Sequence, residues 1–465
     1  MSDSASGWAA IVSRRYLGAT VTLCLGVALL AFNGFLVSTA MPTAVVELDG
    51  VELLSWATTV FLVFAIMGGA GAALLKARLG ARTALIAAAS VFLVGSLLAA
   101  IAGSMPELLF GRALQGLGEG IVAAICYALI PELFPSVLVP KVFGAESVVW
   151  ALAAFGGPVL SGVLTETLSW RAAFAVNLPL GAIFMALVLF IVPVGQRDSA
   201  PGPLPIVRLL LIGGAIMAVS LGGVLNSAWL AGVCLVSAAV TLVAVIRRDE
   251  AAATPLFPTQ AFRLSDTVGA GLWVILLMPL AQAGSAVFLV YGLQNIFGYG
   301  ATLAGLVGAL MSVAWSTIAI GVAGVPARIR PRLIRLGPVL LVAGLALLAL
   351  AIGLSNMALV LVSQVLIGAA YGTSWAYTSQ TIMEAARPGE RDRASALLPT
   401  IQSAGYGIGA ALAGLIANGV GIGAATTPAA LSAVLVVTFG LCAALSVPAI
   451  FAAITMTRRS AQRFT

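Results

Sequence analysis

Long apolar runs separated by short polar gaps fill the chain from residue 17 to residue 456. Fourteen of these runs have 18 or more residues, close to the ~20 that cross a bilayer as a helix. In lipid, only a helix satisfies its own backbone hydrogen bonds at these lengths. The pattern predicts an all-α polytopic membrane protein with fourteen transmembrane helices. They lie near 17–41, 52–75, 83–103, 106–130, 140–165, 173–195, 204–226, 228–247, 266–293, 299–324, 333–354, 357–383, 395–420 and 427–456.

The basic residues fall in alternate gaps between these runs. If the N-terminus is cytoplasmic, every Lys and Arg except Arg112 and Arg171 lies on the cytoplasmic side. Positive charge concentrates in cytoplasmic loops, and a wrong helix count would scramble this alternation. We therefore expect both termini in the cytoplasm and the protein in a bacterial-type cytoplasmic (inner) membrane.

The chain also contains a weak internal repeat at an offset of 252 positions. GRALQGLGEG (111–120) aligns with SQVLIGAAYG (363–372), and GGPVLSG (156–162) aligns with IGAALAG (408–414). One offset that serves several places predicts two six-helix repeats with an extra two-helix hairpin between them. The expected boundaries are a cytoplasmic N-terminal segment at 1–16, a six-helix unit at 17–195, a two-helix insert with linkers at 196–265, a second six-helix unit at 266–456 and a cytoplasmic tail at 457–465.

Composition excludes several kinds of chemistry. The chain is 61% apolar and 8% charged, its net charge is +7, and it has no histidine. Lys76 and Lys141 are its only lysines and neither follows glycine, so no GxxxxGK[ST] phosphate loop is present. The four cysteines are scattered without the spacing of a metal site or a disulfide framework. We expect no enzyme activity, no bound cofactor or metal, and no nucleic-acid partner.

Four segments carry a family resemblance. FGRALQGLG (110–118), GGPVLSG (156–162), WRAAFAVNLPLG (170–181) and LVYGLQNIFGYGATLAGL (289–306) resemble the major facilitator superfamily and, more narrowly, its fourteen-helix drug:proton antiporters. The resemblance implies transport driven by a proton gradient. It puts Arg112 in the arginine position of the fourth-helix motif. It also assigns Gly157, Pro158 and Gly162 to the fifth-helix antiporter motif.

Two departures from the family pattern stand out. The loop motif after the second helix is ALLKARLGAR (73–82), with Ala77 where the family has aspartate. Its matching residues Arg78, Gly80 and Arg82, with Glu146, are the expected inner gate. In the first helix, Asn33 stands where the family usually has an acid.

Arg112 and Glu119 are the expected proton-coupling residues. Seven residues are nearly two full helical turns, so the two side chains share a face about 10.5 Å apart along the axis. A charge inside the membrane is costly unless it faces a cavity or a partner. A carboxylate there can take up and release a proton as access alternates. The alternative is a static polar pair that fixes helix packing.

The second repeat carries aromatic and amide groups where the first carries charge. Gln364 aligns with Arg112, and Tyr371 aligns with Glu119. This suggests proton handling in the first unit and a substrate surface shared with the second. The alternative is that the aromatic residues only pack or lie at the membrane interface. The expected substrate pocket comprises Asn33, Gln115, Gln282, Trp315, Gln364, Tyr371, Trp375, Gln402 and Tyr406.

The interpretation we favour is a secondary active transporter that exports small amphipathic organic compounds in exchange for protons by alternating access. Its partners would be a small-molecule substrate, protons and the lipid bilayer, with the protein acting as a monomer. The alternatives are a dedicated exporter of one metabolite, siderophore or lipid, a uniporter or importer, and a non-transporting scaffold or sensor.

Overall fold

The computed structural model describes residues 7–49, 54–194, 205–224, 227–253, 255–259, 261 and 263–462. Within this part of the chain every regular element is helical. Parts of the predicted segments 1–16, 196–265 and 457–465 lie outside the described residues. The helices are α1 (Trp8–Ile11), α2 (Leu17–Glu47), α3 (Leu54–Leu79), α4 (Ala81–Ala100), α5 (Met105–Leu133), α6 (Val139–Thr167), α7 (Trp170–Ala175), α8 (Asn177–Ile191), α9 (Ile206–Val224), α10 (Ala228–Glu250), α11 (Thr267–Phe297), α12 (Ala301–Val322), α13 (Arg330–Gly353), α14 (Met357–Ala385), α15 (Arg391–Val420) and α16 (Pro428–Gln462), with a 3-10 turn at Ile422–Ala424.

Thirteen stretches of the described residues are long and apolar enough to cross a membrane. α7 and α8 together form one of them, Trp170–Ile191. The seventh predicted span, 204–226, corresponds to α9, whose described apolar part is the shorter stretch Ile206–Val219. The all-helical membrane architecture is confirmed, whereas the count of fourteen spans stays a prediction.

The chain forms two compact units. Unit 1 contains Met1–Met217, Thr241–Thr259 and Arg387–Thr400. Unit 2 contains Ala218–Val240, Gln260–Ala386 and Ile401–Thr465. The predicted insert 196–265 is thus divided between the two units, and the predicted domain boundaries stay predictions.

In unit 1, α5 packs closely against α3 and α4 because its glycines leave room for neighbouring backbones. A Cβ added to Gly116 would lie 2.1 Å from the carbonyl oxygen of Phe61. One added to Gly120 would lie 2.0 Å from that of Ala65. Small residues that let backbones approach are a common basis of helix association in membranes. They bring the polar side chains of α5 against α3 and α4.

In unit 2, α14 packs against α12 and α13 by the same means. A Cβ on Gly368 would lie 2.3 Å from the carbonyl oxygen of Met311, and one on Gly372 would lie 2.7 Å from that of Trp315. This contact fixes Trp315 beside the middle of α14.

We expect Gly120→Ala to destabilise the protein by about 1–3 kcal/mol, because an extra methyl at a closed contact forces the helices apart. The matched control is Gly214→Ala on α9, where an added Cβ meets nothing within 4 Å. Thermal unfolding of the detergent-solubilised protein measures both. A melting temperature equally unchanged in the two variants would contradict the close packing of α5 on α3.

The sixth predicted span is broken into α7 and α8 at Val176. The ring of Pro179 would clash with the carbonyl of Ala175 in a continuous helix, so the chain restarts at this point. The restart places Asn177 in the first turn of α8 with its side chain fully buried. Asn177, which the sequence places near the start of the sixth helix, thereby becomes part of the interior of unit 1.

At one end of unit 1, Glu47 at the end of α2 binds two side chains of α7. Trp170 Nε1 donates to its Oε2 at 2.8 Å, and Arg171 Nη1 donates to its Oε1 at 2.5 Å. Arg171 Nη2 also donates to the carbonyl oxygen of Ala102 at 2.9 Å. The hydrogen bonds from Arg171 and Trp170 hold the pKa of the Glu47 carboxyl below its ordinary value. The link therefore weakens as the pH falls and Glu47 takes up a proton.

Candidate functional site

The interior of unit 1 contains a buried arginine on α5 with three different partners. Arg112 is 2% exposed. Its Nε donates to the carbonyl oxygen of Ala57 at 3.2 Å, and its Nη1 donates to Gln115 Oε1 at 2.7 Å. Its guanidinium carbon lies 4.1 Å from the ring centroid of Phe61, a cation–π contact. These contacts tie α5 to α3 and hold the guanidinium in one position.

The hydrogen bonds continue from Arg112 to α4. Gln115 Nε2 donates to Ser96 Oγ at 2.8 Å, and both side chains are fully buried. The Gln115 amide therefore accepts from Arg112 and donates to Ser96 at once. Gln115 therefore helps to position Arg112, and its place in the substrate pocket stays a prediction.

Glu119 lies two turns further along α5 and is 1% exposed. Asn33 Nδ2 on α2 donates to its Oε2 at 3.0 Å, and Asn177 Nδ2 on α8 donates to Asn33 Oδ1 at 3.2 Å. Glu119 Oε1 and Asn177 Oδ1 are buried without a hydrogen-bond partner in the described part of the chain. Arg112 and Glu119 form no ion pair among the described residues. The free Oε1 is the atom on which a proton can be held.

The position of Asn33 explains the second departure from the family pattern in spatial terms. Asn33, which stands in place of the usual acid of α2, faces Glu119 on α5. The Asn33 amide donates a hydrogen bond to the Glu119 carboxylate. A carboxyl group is therefore present at this level of the membrane interior, supplied by Glu119 instead of residue 33.

The predicted antiporter motif lies where α6 meets α2. A Cβ on Gly157 would lie 2.6 Å from Phe35 Cβ, and Ser161 Oγ donates to the carbonyl oxygen of Leu36 at 2.6 Å. Pro158 lies within α6. Gly162 has no atom within 4 Å of an added Cβ. Gly157 thus allows the close contact beside the Asn33 segment, while Gly162 faces open space.

The predicted inner-gate residues lie on α3, α4 and α6 and in the turn between α3 and α4. Gly80 turns the chain between α3 and α4 with φ 77°, and Arg82 Nε donates to the carbonyl oxygen of Val192 at 2.7 Å. Arg78 is half-buried near the end of α3. Glu146 lies two turns inside α6 and is 2% exposed, with no hydrogen-bond partner for either carboxylate oxygen among the described residues. Glu146 therefore lies inside α6 rather than at its end, and the inner-gate role of Arg78, Gly80, Arg82 and Glu146 stays a prediction.

Lys76 makes two ion pairs at this end of unit 1. Its Nζ pairs with Glu132 at the end of α5 and lies 2.6 Å from Asp392 Oδ2 in the first turn of α15. The Lys76 side chain is 8% exposed. Sequence reasoning missed this triad, although Lys76 is one of two lysines and lies next to Ala77.

In unit 2, three of the predicted pocket residues form one aromatic cluster. Trp315 and Tyr371 stack with ring centroids 4.8 Å apart, and Trp375 lies 6.0 Å from Trp315 and 5.9 Å from Tyr371. Tyr406 on α15 interacts electrostatically with Tyr371. Gln402 lies one turn before Tyr406 and is half-buried. The helix contacts of Gly368 and Gly372 hold this cluster in place.

The two other predicted amides of unit 2 are buried close to apolar groups. Gln282 Nε2 contacts Met311 Sδ at 3.6 Å, and Gln282 Oε1 has no hydrogen-bond partner in the described part of the chain. Gln364 Nε2 makes a long contact of 3.5 Å with Ser363 Oγ. The free oxygen of Gln282 can accept a hydrogen bond from a ligand.

Charge is distributed unequally between the units. Every buried charged side chain that the structure describes belongs to unit 1, and none belongs to unit 2. Unit 1 can therefore handle protons inside the membrane, whereas unit 2 offers aromatic and neutral polar contacts. The buried charged residues are Lys76, Arg112, Glu119, Lys141, Glu146, Asp249 and Glu390.

A sequence model of the Major Facilitator Superfamily matches residues 23–410. The chain belongs to this superfamily. A probable multidrug-efflux transporter of Mycobacterium tuberculosis is 29% identical over 444 residues, which cover 90% of this chain and 92% of that protein. A multidrug transporter of Bacillus subtilis is 28% identical over 286 residues, 60% of this chain and 52% of that one. This superfamily member is therefore a transporter.

Solved structures agree with the superfamily fold. The human organic anion transporter TETRAN aligns with a TM-score of 0.68 at 14% identity, covering 95% of this chain and 99% of that one. The proton:xylose symporter XylE aligns with a TM-score of 0.64 at 18% identity, covering 94% of each chain. At these identities the likeness shows that this superfamily member shares their fold.

Proposed function

We propose that the protein is a proton-coupled antiporter that exports small amphipathic organic compounds by alternating access. The observation that carries the proposal is the Glu119 carboxylate, buried beside Asn33 with one oxygen that has no hydrogen-bond partner among the described residues. An embedded acid of this kind is costly to bury, and such residues usually mark functional sites such as proton relays. The relatives named as multidrug transporters support the substrate class.

The proposal includes membership of the fourteen-helix drug:proton antiporters, with two six-helix repeats around an extra hairpin. Gly116 and Gly120 make the same backbone contacts in unit 1 as Gly368 and Gly372 make in unit 2. Both pairs are related by the offset found in the sequence. The alternation of basic loops supports both termini in the cytoplasm of a bacterial cell. The protein would act as a monomer, without a cofactor and without enzyme activity.

We assign different tasks to the two units. Glu119 and Arg112 in unit 1 carry and position the proton, as inferred from their burial and fixed partners. The aromatic cluster of unit 2 binds the apolar part of the substrate, and Gln282 Oε1 accepts a hydrogen bond from its polar part.

A second candidate is a dedicated exporter of one neutral compound. Asn33 replaces the acid that would attract a cation on α2, and no buried charged residue is described in unit 2. An uncharged substrate would need no counter-ion there. The alternatives of a uniporter or importer differ from export only in coupling and gradient.

Proton release from everted membrane vesicles tests the proposal. Vesicles that contain the protein are energised by respiration, and a dye reports their internal acidity as lipophilic cations and neutral aromatic drugs are added. We expect some compounds to trigger proton release that vesicles lacking the protein do not show. Release with neutral compounds alone would favour the second candidate. No release with any compound, together with substrate exchange in the absence of a gradient, would replace antiport by uniport.

A further inference from the structure

Unit 1 contains a buried carboxylate on α6 that the proposed cycle does not use. Glu146 on α6 is as deeply buried as Glu119, and neither of its oxygens meets a hydrogen-bond donor at standard geometry among the described residues. An acid in this environment is rarely retained for packing alone, since leucine or methionine would fill the same space without the cost of burying a charge.

α2 and α5 are in contact at two depths of unit 1, one at Glu119 and one further along both helices. Asn33 on α2 meets Glu119 on α5. Seven residues earlier on α2, a Cβ on Gly26 would lie 2.6 Å from the Sγ of Cys126, which is seven residues later on α5. The two helices therefore run antiparallel along one seam, and these two contacts are separated by about 10.5 Å of helix rise.

Glu146 lies beside the second of these contacts. It interacts electrostatically with Cys24 of α2 and Cys126 of α5. On α5, Tyr127 interacts with the Glu146 carboxylate, and its ring centroid lies 5.4 Å from that of Phe143, one turn before Glu146 on α6. On its own helix, Lys141 Nζ donates to the carbonyl oxygen of Val137 at 3.5 Å. The carboxyl of Glu146 thus shares the α2–α5 seam with Glu119, one level closer to the Lys76 end.

Among the described residues, the other helices packed against α6 bring no competing acid to this level. α1 meets α6 through Trp8, whose ring would lie 2.6 Å from a Cβ on Gly144. α7 packs on the far end of α6, where Arg171 is bound to Glu47. The corresponding seam of unit 2 contains no buried acid among the described residues.

We propose that Glu146 is a second proton-binding site, which receives the proton from Glu119 and passes it to water at the Lys76 end of unit 1. This inference rests on the proposed function, in which Glu119 carries the proton. In the transfer, the O–H bond at Glu119 breaks, a new O–H bond forms at Glu146, and the negative charge moves from Glu146 to Glu119. The transfer requires water between the two carboxyls to conduct the proton over the intervening distance. Release to bulk water then returns Glu146 to its carboxylate form.

Infrared difference spectroscopy of the purified protein, titrated in pH and needing no substrate, tests the assignment. We expect two protonated-carboxyl components, one lost in Glu119→Gln and the other lost in Glu146→Gln. The two contacts on the seam are separated by a helix rise of ~10 Å, and at that separation and an effective dielectric of ~20 two carboxylates influence each other by roughly one pH unit. We therefore expect Glu119→Gln to shift the titration midpoint of the Glu146 component by roughly that amount.

Two controls keep the test decisive. Glu107→Gln changes an exposed acid in the first turn of the same α5 and should leave both components unchanged. Glu146→Asp keeps a carboxyl and should retain the second component even if Glu146→Gln unfolds. A spectrum of folded Glu146→Gln identical to that of the wild type would overturn the proposal, as would a Glu146 component that does not respond to Glu119→Gln. Failure of the antiport proposal shows separately, as the absence of proton release from vesicles.

Discussion

Glu119→Gln should reduce substrate-triggered proton release from energised everted vesicles to the background of vesicles without the protein. Glutamine has the shape of glutamate and can still accept from Asn33 Nδ2, so the hydrogen bond at Oε2 remains possible. It cannot bind or release a proton in this pH range, so the free position at Oε1 loses its function.

The same variant should retain substrate exchange in the absence of a pH gradient, because that reaction needs no change of protonation. Comparing gradient-driven transport with exchange therefore separates coupling from folding. The matched control is Glu166→Gln, an exposed acid at the end of α6 in the same unit. If release survived in Glu119→Gln, the coupling proton would have to be held elsewhere in unit 1.

Lys76→Glu should be the most damaging single charge change at the Lys76 end of unit 1. The Lys76 ammonium lies between Glu132 and Asp392, so reversal puts three carboxylates together. Charge-assisted hydrogen bonds contribute about 1.5–3 kcal/mol. Because the two acids are 42% and 41% exposed, solvent screening reduces this, and we expect a loss of about 1–3 kcal/mol of stability. The melting temperature in detergent at low salt is the measurement.

Two comparisons support the interpretation of that result. Adding Asp392→Lys to Lys76→Glu restores an opposite-charge pair between α3 and α15 and should recover part of the loss. Arg247→Glu makes the same change of net charge at an exposed position of unit 1 and should cost little. High salt should narrow the difference between wild type and Lys76→Glu. Equal losses in Lys76→Glu and Arg247→Glu would mean that the triad contributes nothing specific.

Local pattern was sufficient to predict the helices. Apolar runs of 18 or more residues mark positions where a helix is the only stable backbone in lipid. The ends were less well defined, because a helix continues into polar residues as long as its hydrogen bonds do. α16, for example, extends to Gln462, beyond the predicted end at 456. The break at Val176 was missed although Pro179 marks it, since the apolar run continues through it.

The partners of the site residues lay beyond such reasoning. Asn33 and Glu119 are 86 positions apart, and Asn33 and Asn177 are 144 apart. Lys76 and Asp392 are 316 apart. Spacing along one helix predicts which residues of α5 share a face, but it contains no information on which helix faces them. The proton-coupling roles of Arg112 and Glu119 and the substrate role of the aromatic cluster stay predictions.

The polar interior of α5 has a consequence for the order in which the protein is made. With a mean hydropathy of 1.6, α5 is less apolar than α4 at 2.2, and it contains Arg112 and Glu119. The groups that bind Arg112, Gln115 and the Glu119 carboxylate come from α2, α3 and α4, which leave the ribosome first. α5 thus enters a membrane that already contains α2, α3 and α4. Of the residues in this hydrogen-bonded group, only Asn177 on α8 is synthesised after α5. Biogenesis of the charged helix depends on its predecessors, so truncating the chain before α6 should still yield an inserted α5, whereas deleting α3 and α4 should not.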